Sequence, residues 1–406
     1  MRDLLISGDN HIDLTYCPPD LWSSQAPSKW KLLAPRVEEL EDGLHWFVEA
    51  QDKGMWNGVG PGFLKYQQGM FGHIDEMKAV GFEWDYSRGA KPRPTTPELR
   101  LADLDKDGLD AEIIYGCLMI NDLINDPEQR AWCNKIYNDW AAEFAKRSDP
   151  TRIFPLAVIP NNDPRVAADE VRRCAAMGHK GILFTGDPQS LGQPLLGDPH
   201  WNPLWEVAVE LDLPISFHIG SGNMEDGLQR DKMKAYGRMA TFTELSVNVF
   251  LRNGMQLNDL LMSGVLARYP TIKFVSVESG IGWIPFVLEA LDYQFKDNRV
   301  PEERPELDML PSEYFARNVY ACYWFEQTAP RRLIDKVGVD NILFETDFPH
   351  PTSLFGEEVH KRIQGGLADC EEAVRRKILW ANGQKLYRVE APSAEDEAKL
   401  KASAAA

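Results

Sequence analysis

Short apolar runs alternate with segments of helical spacing along most of this chain. The runs are Leu4–Gly8, Ala111–Gly116, Ile153–Pro160, His179–Gly186, Leu213–Gly220, Thr271–Glu278, Val319–Phe325 and Asn341–Glu345. Near-continuous hydrophobicity over so few residues is the pattern of a parallel strand buried on both faces. The gaps carry helical patterns, among them Asp126–Lys146, Pro164–Met177, Trp201–Leu211, Thr243–Asn253, Asn258–Tyr269, Trp283–Phe295 and a closing segment Asp369–Ala381. Eight such strands with helices between them predict an α/β chain of the (β/α)8 (TIM) barrel class, a single domain over residues 1–390. Such a barrel takes about 250 residues, so a chain of 406 leaves room for insertions.

The main departure from the alternation is an insertion after strand one, residues 16–91. PRVEELEDGLHWFVEAQ, with Glu41-Asp42-Gly43 between alternating polar and apolar segments, reads as a hairpin. The stretch after it is rich in glycine and aromatics and has no clean period. Long irregular segments in compact domains are commonly functional, and the aromatics need a surface, so a lid over the C-terminal mouth of the barrel is expected. His73 lies within it as a candidate pocket residue. The tail, residues 391–406, has too little apolar content to pack and is expected to be disordered.

Composition excludes some partners. A net charge of −18 argues against nucleic acid or an anionic membrane as the main partner. The apolar runs fall short of the ~18 residues of a spanning helix. At the N-terminus acids follow Arg2 at once, unlike a signal peptide. Six cysteines with no CxxC spacing, several in apolar contexts, are expected to be reduced and buried. A cytoplasmic enzyme with a small-molecule substrate is the class that remains.

Four of the runs end on side chains that bind metals. LLISGDNH ends in Asp9 and His11, LPISFHIG carries His218, TIKFVSVESG carries Glu278, and NILFETDFPH breaks from Phe344 into Glu345, Asp347 and His350. Residues two apart in a strand share a face at about 6.6 Å, so Asp9 and His11 can lean on one ion while Asn10 faces away. Barrel active sites sit at the C-terminal ends of the strands. Asp9, His11, His218, Glu278, Asp347 and His350 all fall there, and form the candidate metal set.

Taken together, D-x-H after strand one, F-H-x-G after strand five, E-S-G-x-G-W-x-P after strand six and T-D-F-P-H after strand eight resemble the amidohydrolase-related proteins. The resemblance spans residues 4 to about 385, and is nearest to the branch of metal-dependent aromatic-acid decarboxylases such as γ-resorcylate decarboxylase. It implies that Asp9, His11, His218 and Asp347 hold a metal, that Asp347 also handles a proton, and that the protein is a homodimer or pairs with a paralogue. The chain departs from the branch on strand six, where those enzymes place a histidine helped by a glutamate three residues on; here Glu278 is followed by Ile281. His350 is an added nitrogen donor.

Three carboxylates and three imidazoles are generous for one Zn²⁺, which at catalytic sites usually takes three protein ligands and water. They suit one or two divalent ions, Zn, Mn or Fe. The expected function is a metal-dependent hydrolase or decarboxylase acting on a small organic acid, amide or ester through a metal-activated water, with Asp347 and Glu278 as catalytic residues. The same donors, with Glu278 bridging and His350 on a second ion, also resemble dinuclear non-haem oxygenases of this fold. A non-catalytic metal-binding barrel subunit is the third reading. Trp283 and Trp324, near strand ends, are candidate pocket residues.

Overall fold

The computed structural model describes residues 3–56, 75–76, 96–222 and 230–390. Two compact units divide the chain, one comprising Leu4–Lys180 with Thr346–Lys361, the other centred on Gly181–Glu345 and continuing from Arg362.

The first unit carries strands β1 (Ile6–His11), β2 (Arg36–Leu40), β3 (Gly43–Val48), β4 (Gln51–Met55), β5 (Ala111–Tyr115), β6 (Ile153–Pro155) and β7 (Ala157–Val158). β1, β5 and β6 form a parallel sheet in that order. Register slips by one residue between Ser7 and Asn10, a bulge opposite Glu112–Ile114. Bulges re-aim side chains, and this one lies just before the D-x-H pair. Segment 346–350 runs beside β1: His11 N–H donates to Phe348 O at 2.8 Å, and Asp347 N–H to Asp9 O at 2.9 Å. The third expected strand is two short ones, with Leu156 between them still paired through its N–H to Ile114 O.

The insertion begins with the expected hairpin, extended by one strand into an antiparallel β2-β3-β4 sheet. The β3–β4 turn places Glu49 and Ala50 at φ 51° and 61°, both in the left-handed region that two-residue hairpin turns require. The Glu49 carboxylate holds that turn by accepting from the Asn125 backbone and side-chain amides at 2.7 and 2.6 Å. Trp22, fully buried, donates to Cys133 O in the first turns of the helix Pro127–Ser148. His73, most of the aromatic stretch proposed as a lid, and the tail from 391 lie outside the described residues.

The second unit is a parallel array in sequence order: β8 (Ile182–Phe184), β9 (Ile215–Phe217), β10 (Phe274–Ser276), β11 (Val319–Tyr323) and β12 (Ile342–Phe344). Every residue of these strands is buried, as two-sided burial demands of a parallel sheet. Asn382 fixes the start of β12 by donating to Val339 O and Ile342 O at 2.8 Å each. Two helices expected over Thr243–Asn253 and Asn258–Tyr269 are instead one, Arg238–Met262, followed by a short turn of helix, Val265–Arg268. Gly254, in the expected gap, costs helix propensity but admits the Trp283 ring, which would stand 3.2 Å from a Cβ there. Cys17, Cys117, Cys133, Cys174 and Cys322 are buried, and none of the six cysteines forms a disulfide. Among the described residues no helix is long and apolar enough to cross a membrane.

Candidate metal centre

The end of β1 and the strip beside it bring Asp9, His11, Asp347 and His350 together. Asp9 and Asp347 are fully buried, and His11 nearly so. His11 Nε2 lies 3.2 Å from Asp9 Oδ1 and 3.4 Å from Asp347 Oδ1. His350 Nδ1 lies 2.7 Å from the same Asp347 oxygen, and Thr352 donates to the other at 3.2 Å. The two imidazoles stack with centroids 3.9 Å apart. One donor atom each from His11, Asp347 and His350 falls within 4.8 Å of the others.

Local structure explains the convergence. Asn10, pointing away from its neighbours as strand alternation requires, is the hub on the other face. Its Nδ2 donates to Glu112 Oε2 at 2.5 Å. Its Oδ1 accepts from Ser7 Oγ, Thr346 Oγ1 and Phe348 N at 2.9, 2.7 and 3.1 Å. Glu112 is also gripped by both arms of the Arg100 fork, at 2.7 and 2.6 Å, and Arg100 reaches His11 O at 3.1 Å. A bidentate pair buried on both sides fixes geometry strongly; here it braces the backbone that carries His11.

The second unit holds the other two candidates. His218 Nε2 lies 3.0 Å from Glu278 Oε2, and its Nδ1 contacts Ile219 O at 2.6 Å. A carbonyl can only accept, so Nδ1 carries the proton and Nε2 presents a lone pair or a second proton towards Glu278. Glu278 N–H donates to both oxygens of Glu345 at 3.0 Å. Glu345, an acid at the end of a buried strand, thus anchors the Glu278 backbone.

Glu278 and Asp347 share a feature the sequence does not display: φ of 54° and 60°. Positive φ also occurs at exposed turn residues such as Asp212 and Arg388, but these two are buried. Non-glycine residues in this region cost on the order of 1–3 kcal/mol and persist where surrounding structure enforces them. The Glu345 carboxylate at Glu278, and the Asp9 carbonyl at Asp347, are the enforcing partners.

Asp13 joins the cluster without any signal in the sequence beyond its position two residues after His11. Oδ1 stands 3.6 Å from His11 Nδ1 and Oδ2 2.7 Å from His350 Nε2. Burial would raise its carboxyl, but the His11 and His350 imidazoles hold it well below the usual carboxylate range. Burial and His350 oppose a charge on His11, yet Asp9 and Asp13 outweigh them and push its pKa up to about 10. The cluster therefore stabilises positive charge, and its mixture of carboxylate and imidazole suits a divalent Zn, Mn or Fe ion. Trp324, buried, packs edge-on against Phe250 of the long helix, and Trp283 donates to Ser279 O while lying on Gly254. Both contact that helix.

The Amidohydrolase family profile matches residues 43–389. The chain belongs to the amidohydrolase family. The match starts after β1, so Asp9 and His11 lie outside it. A γ-resorcylate decarboxylase from Polaromonas sp. is 28% identical over 322 residues, 75% of this chain and 94% of the relative. Among solved structures, an amidohydrolase from Mycobacterium avium subsp. paratuberculosis superposes with a TM-score of 0.71 at 20% identity, covering 95% of this chain and all of the other. A dihydroxybenzoic acid decarboxylase from Polaromonas sp., solved with bound manganese and the inhibitor 2-nitroresorcinol, gives 0.61 at 20% identity, with 96% and 98% covered. The amidohydrolase described here thus has the (β/α)8-barrel fold of α/β class. It is an enzyme of a family of metal-dependent hydrolases and carboxy-lyases.

Proposed function

We propose that this amidohydrolase is a divalent-metal-dependent carboxy-lyase acting on a small organic acid. Asp9, His11, His218 and Asp347 hold the primary ion in this reading, and Glu278 and His350 complete the donor set. The likeness to a γ-resorcylate decarboxylase along 94% of that relative and the manganese in a structural neighbour support it. The observation that carries the chemistry is Asp347, fully buried and shared between His11, His350 and Thr352.

When bound, the ion supplies a Lewis acid that polarises a substrate oxygen. Asp347 serves as the proton carrier. In decarboxylation the bond to the departing carboxylate breaks, its electron pair stays on carbon, and Asp347 delivers the proton that replaces CO2. His350 Nδ1 lies 2.7 Å from the carboxylate that this leaves behind. The histidine and glutamate that resemblance leads one to expect on strand six are absent, but His218 and Glu278, 3.0 Å apart, supply an imidazole–carboxylate pair from two strands instead.

The test is turnover under strict anaerobiosis after loading with Mn²⁺, Zn²⁺ or Fe²⁺, on a panel of hydroxylated aromatic acids and of small esters and amides. CO2 release from an acid supports the proposal. Ester or amide cleavage without CO2 would replace it with a hydrolase, and an absolute need for dioxygen would replace it with an oxygenase.

A further inference from the structure

We propose that Asp13 is the positioning residue that turns both imidazoles, His11 and His350, toward a common metal-binding point; this rests on the metal-dependent reading above. Each carboxylate oxygen faces one ring: Oδ1 an electrostatic contact at 3.6 Å to His11 Nδ1, Oδ2 a hydrogen bond at 2.7 Å to His350 Nε2. A carboxylate at one nitrogen of an imidazole fixes the proton there and leaves the lone pair on the other. The nitrogens on the far sides are His11 Nε2 and His350 Nδ1. Both face the same atom, Asp347 Oδ1, at 3.4 and 2.7 Å. One carboxylate thereby aims two ring nitrogens at one point, where a bound ion would take the place of the proton that His11 Nε2 holds in the metal-free protein.

Stacking makes the shared anchor necessary. Rings with centroids 3.9 Å apart and inclined by 26° repel when both carry a charge, and nothing in stacking itself sets which nitrogen faces which way. A negative charge at one nitrogen of each ring offsets the repulsion and sets the orientation. Asp13 is held for the task from its own backbone: it begins the turn Leu14–Tyr16, with Tyr16 N–H donating to its carbonyl at 2.9 Å. The Asp13 and His350 side chains are each about a quarter exposed, so Asp13 forms the outer wall of the cluster while Asp9 and Asp347 form its floor.

The experiment compares wild type, Asp13→Asn, Asp13→Ala, His350→Ala and the Asp13→Ala/His350→Ala double variant. Mn²⁺ affinity is read from the free-ion EPR signal, and ligand geometry from the visible spectrum of the Co²⁺-loaded protein. Loss of an outer partner typically costs about 10- to 100-fold in metal affinity. That loss is expected for Asp13→Ala, with an altered Co²⁺ spectrum, a smaller loss for the isosteric Asp13→Asn, and unchanged far-UV circular dichroism. In the His350→Ala background, removing Asp13 should cost only the part that acts through His11. Wild-type affinity and spectrum in both Asp13 variants would overturn the proposal. A full additive loss in the double variant would also overturn it, because Asp13 would then bind the ion itself. If wild type binds neither Mn²⁺ nor Co²⁺, the metal-dependent reading fails first, and the inference with it.

Discussion

At the end of β1, Asp9, His11 and Asp347 are held by paired backbone hydrogen bonds, by the Asn10 carboxamide and by the Arg100–Glu112 pair. At the ends of β9 and β10, His218 and Glu278 rest on the Ile219 carbonyl, the Glu345 carboxylate and each other. The first region is braced by main-chain pairing and a carboxamide hub, the second by a buried carboxylate and a backbone carbonyl. Catalytic constellations need their supporting partners to hold geometry within a fraction of an ångström. Main-chain pairing of this kind fixes Asp9, His11 and Asp347 before any ligand arrives.

The largest effect is expected at Asp347. Asp347→Asn keeps shape but removes charge and proton carriage, and general acid–base catalysis contributes typically about 10²–10⁴-fold. A fall of that order in kcat is expected, measured as CO2 release at saturating metal. Glu278→Gln, in the region at the ends of β9 and β10, should cost less because it leaves the Asp347 proton carrier in place; an equal loss at both would erase the contrast between the regions.

Next in size is the brace itself. Asn10→Ala removes the acceptor of the Phe348 N–H and a donor to Glu112, both buried, and leaves the Thr346 hydroxyl only its 3.2 Å contact with Ser7 Oγ. Each unsatisfied buried group costs about 1–3 kcal/mol, so a loss of about 2–4 kcal/mol is expected in urea unfolding of the metal-free protein. A loss under about 1 kcal/mol would show that the brace is not where the stability lies.

Glu345→Gln replaces a charged acceptor for the Glu278 N–H with a neutral one. Charge-assisted hydrogen bonds are roughly twice as strong as neutral ones. With Glu278 strained at φ 54°, a loss of about 1 kcal/mol of positioning corresponds to roughly fivefold in kcat, with metal content retained. Unchanged kcat would remove Glu345 from the account.

A further effect is in pH. His11, raised to about 10 in the folded protein from an unfolded value near 6.5, contributes stability that is fully present below about pH 6.5 and is lost as pH rises towards 10. Thermal melts of the metal-free protein should therefore fall across that window, and melts of His11→Ala should not. The reverse slope would mean that His11 is neutral when folded.

Strand ends were legible because apolar runs that stop on acids and histidines violate the pattern of a buried strand, as Phe344 followed by Glu345 and Asp347 does. The pairing of Asp9 with His11 followed from strand alternation. Asp13 was not legible: HIDL reads as a polar step leaving the strand, and only the fold brings His350 to it across more than 300 residues. Asn10 was legible as facing away but not as a hub, because its partners Thr346 and Phe348 are equally remote in sequence. The left-handed backbone at Glu278 and Asp347 had no signal either, since neither residue type favours it strongly. The continuous helix Arg238–Met262 was hidden by Gly254, whose role depends on a ring 29 positions away.

The most direct test of the central claim is elemental analysis of the protein as purified beside His11→Ala and Asp9→Ala. At least one Mn, Zn or Fe per wild-type chain, with most of it lost from both variants while circular dichroism is unchanged, is the predicted result. Wild-type protein that neither carries nor takes up a divalent ion, or variants that retain it in full, would contradict a metal centre at the end of β1.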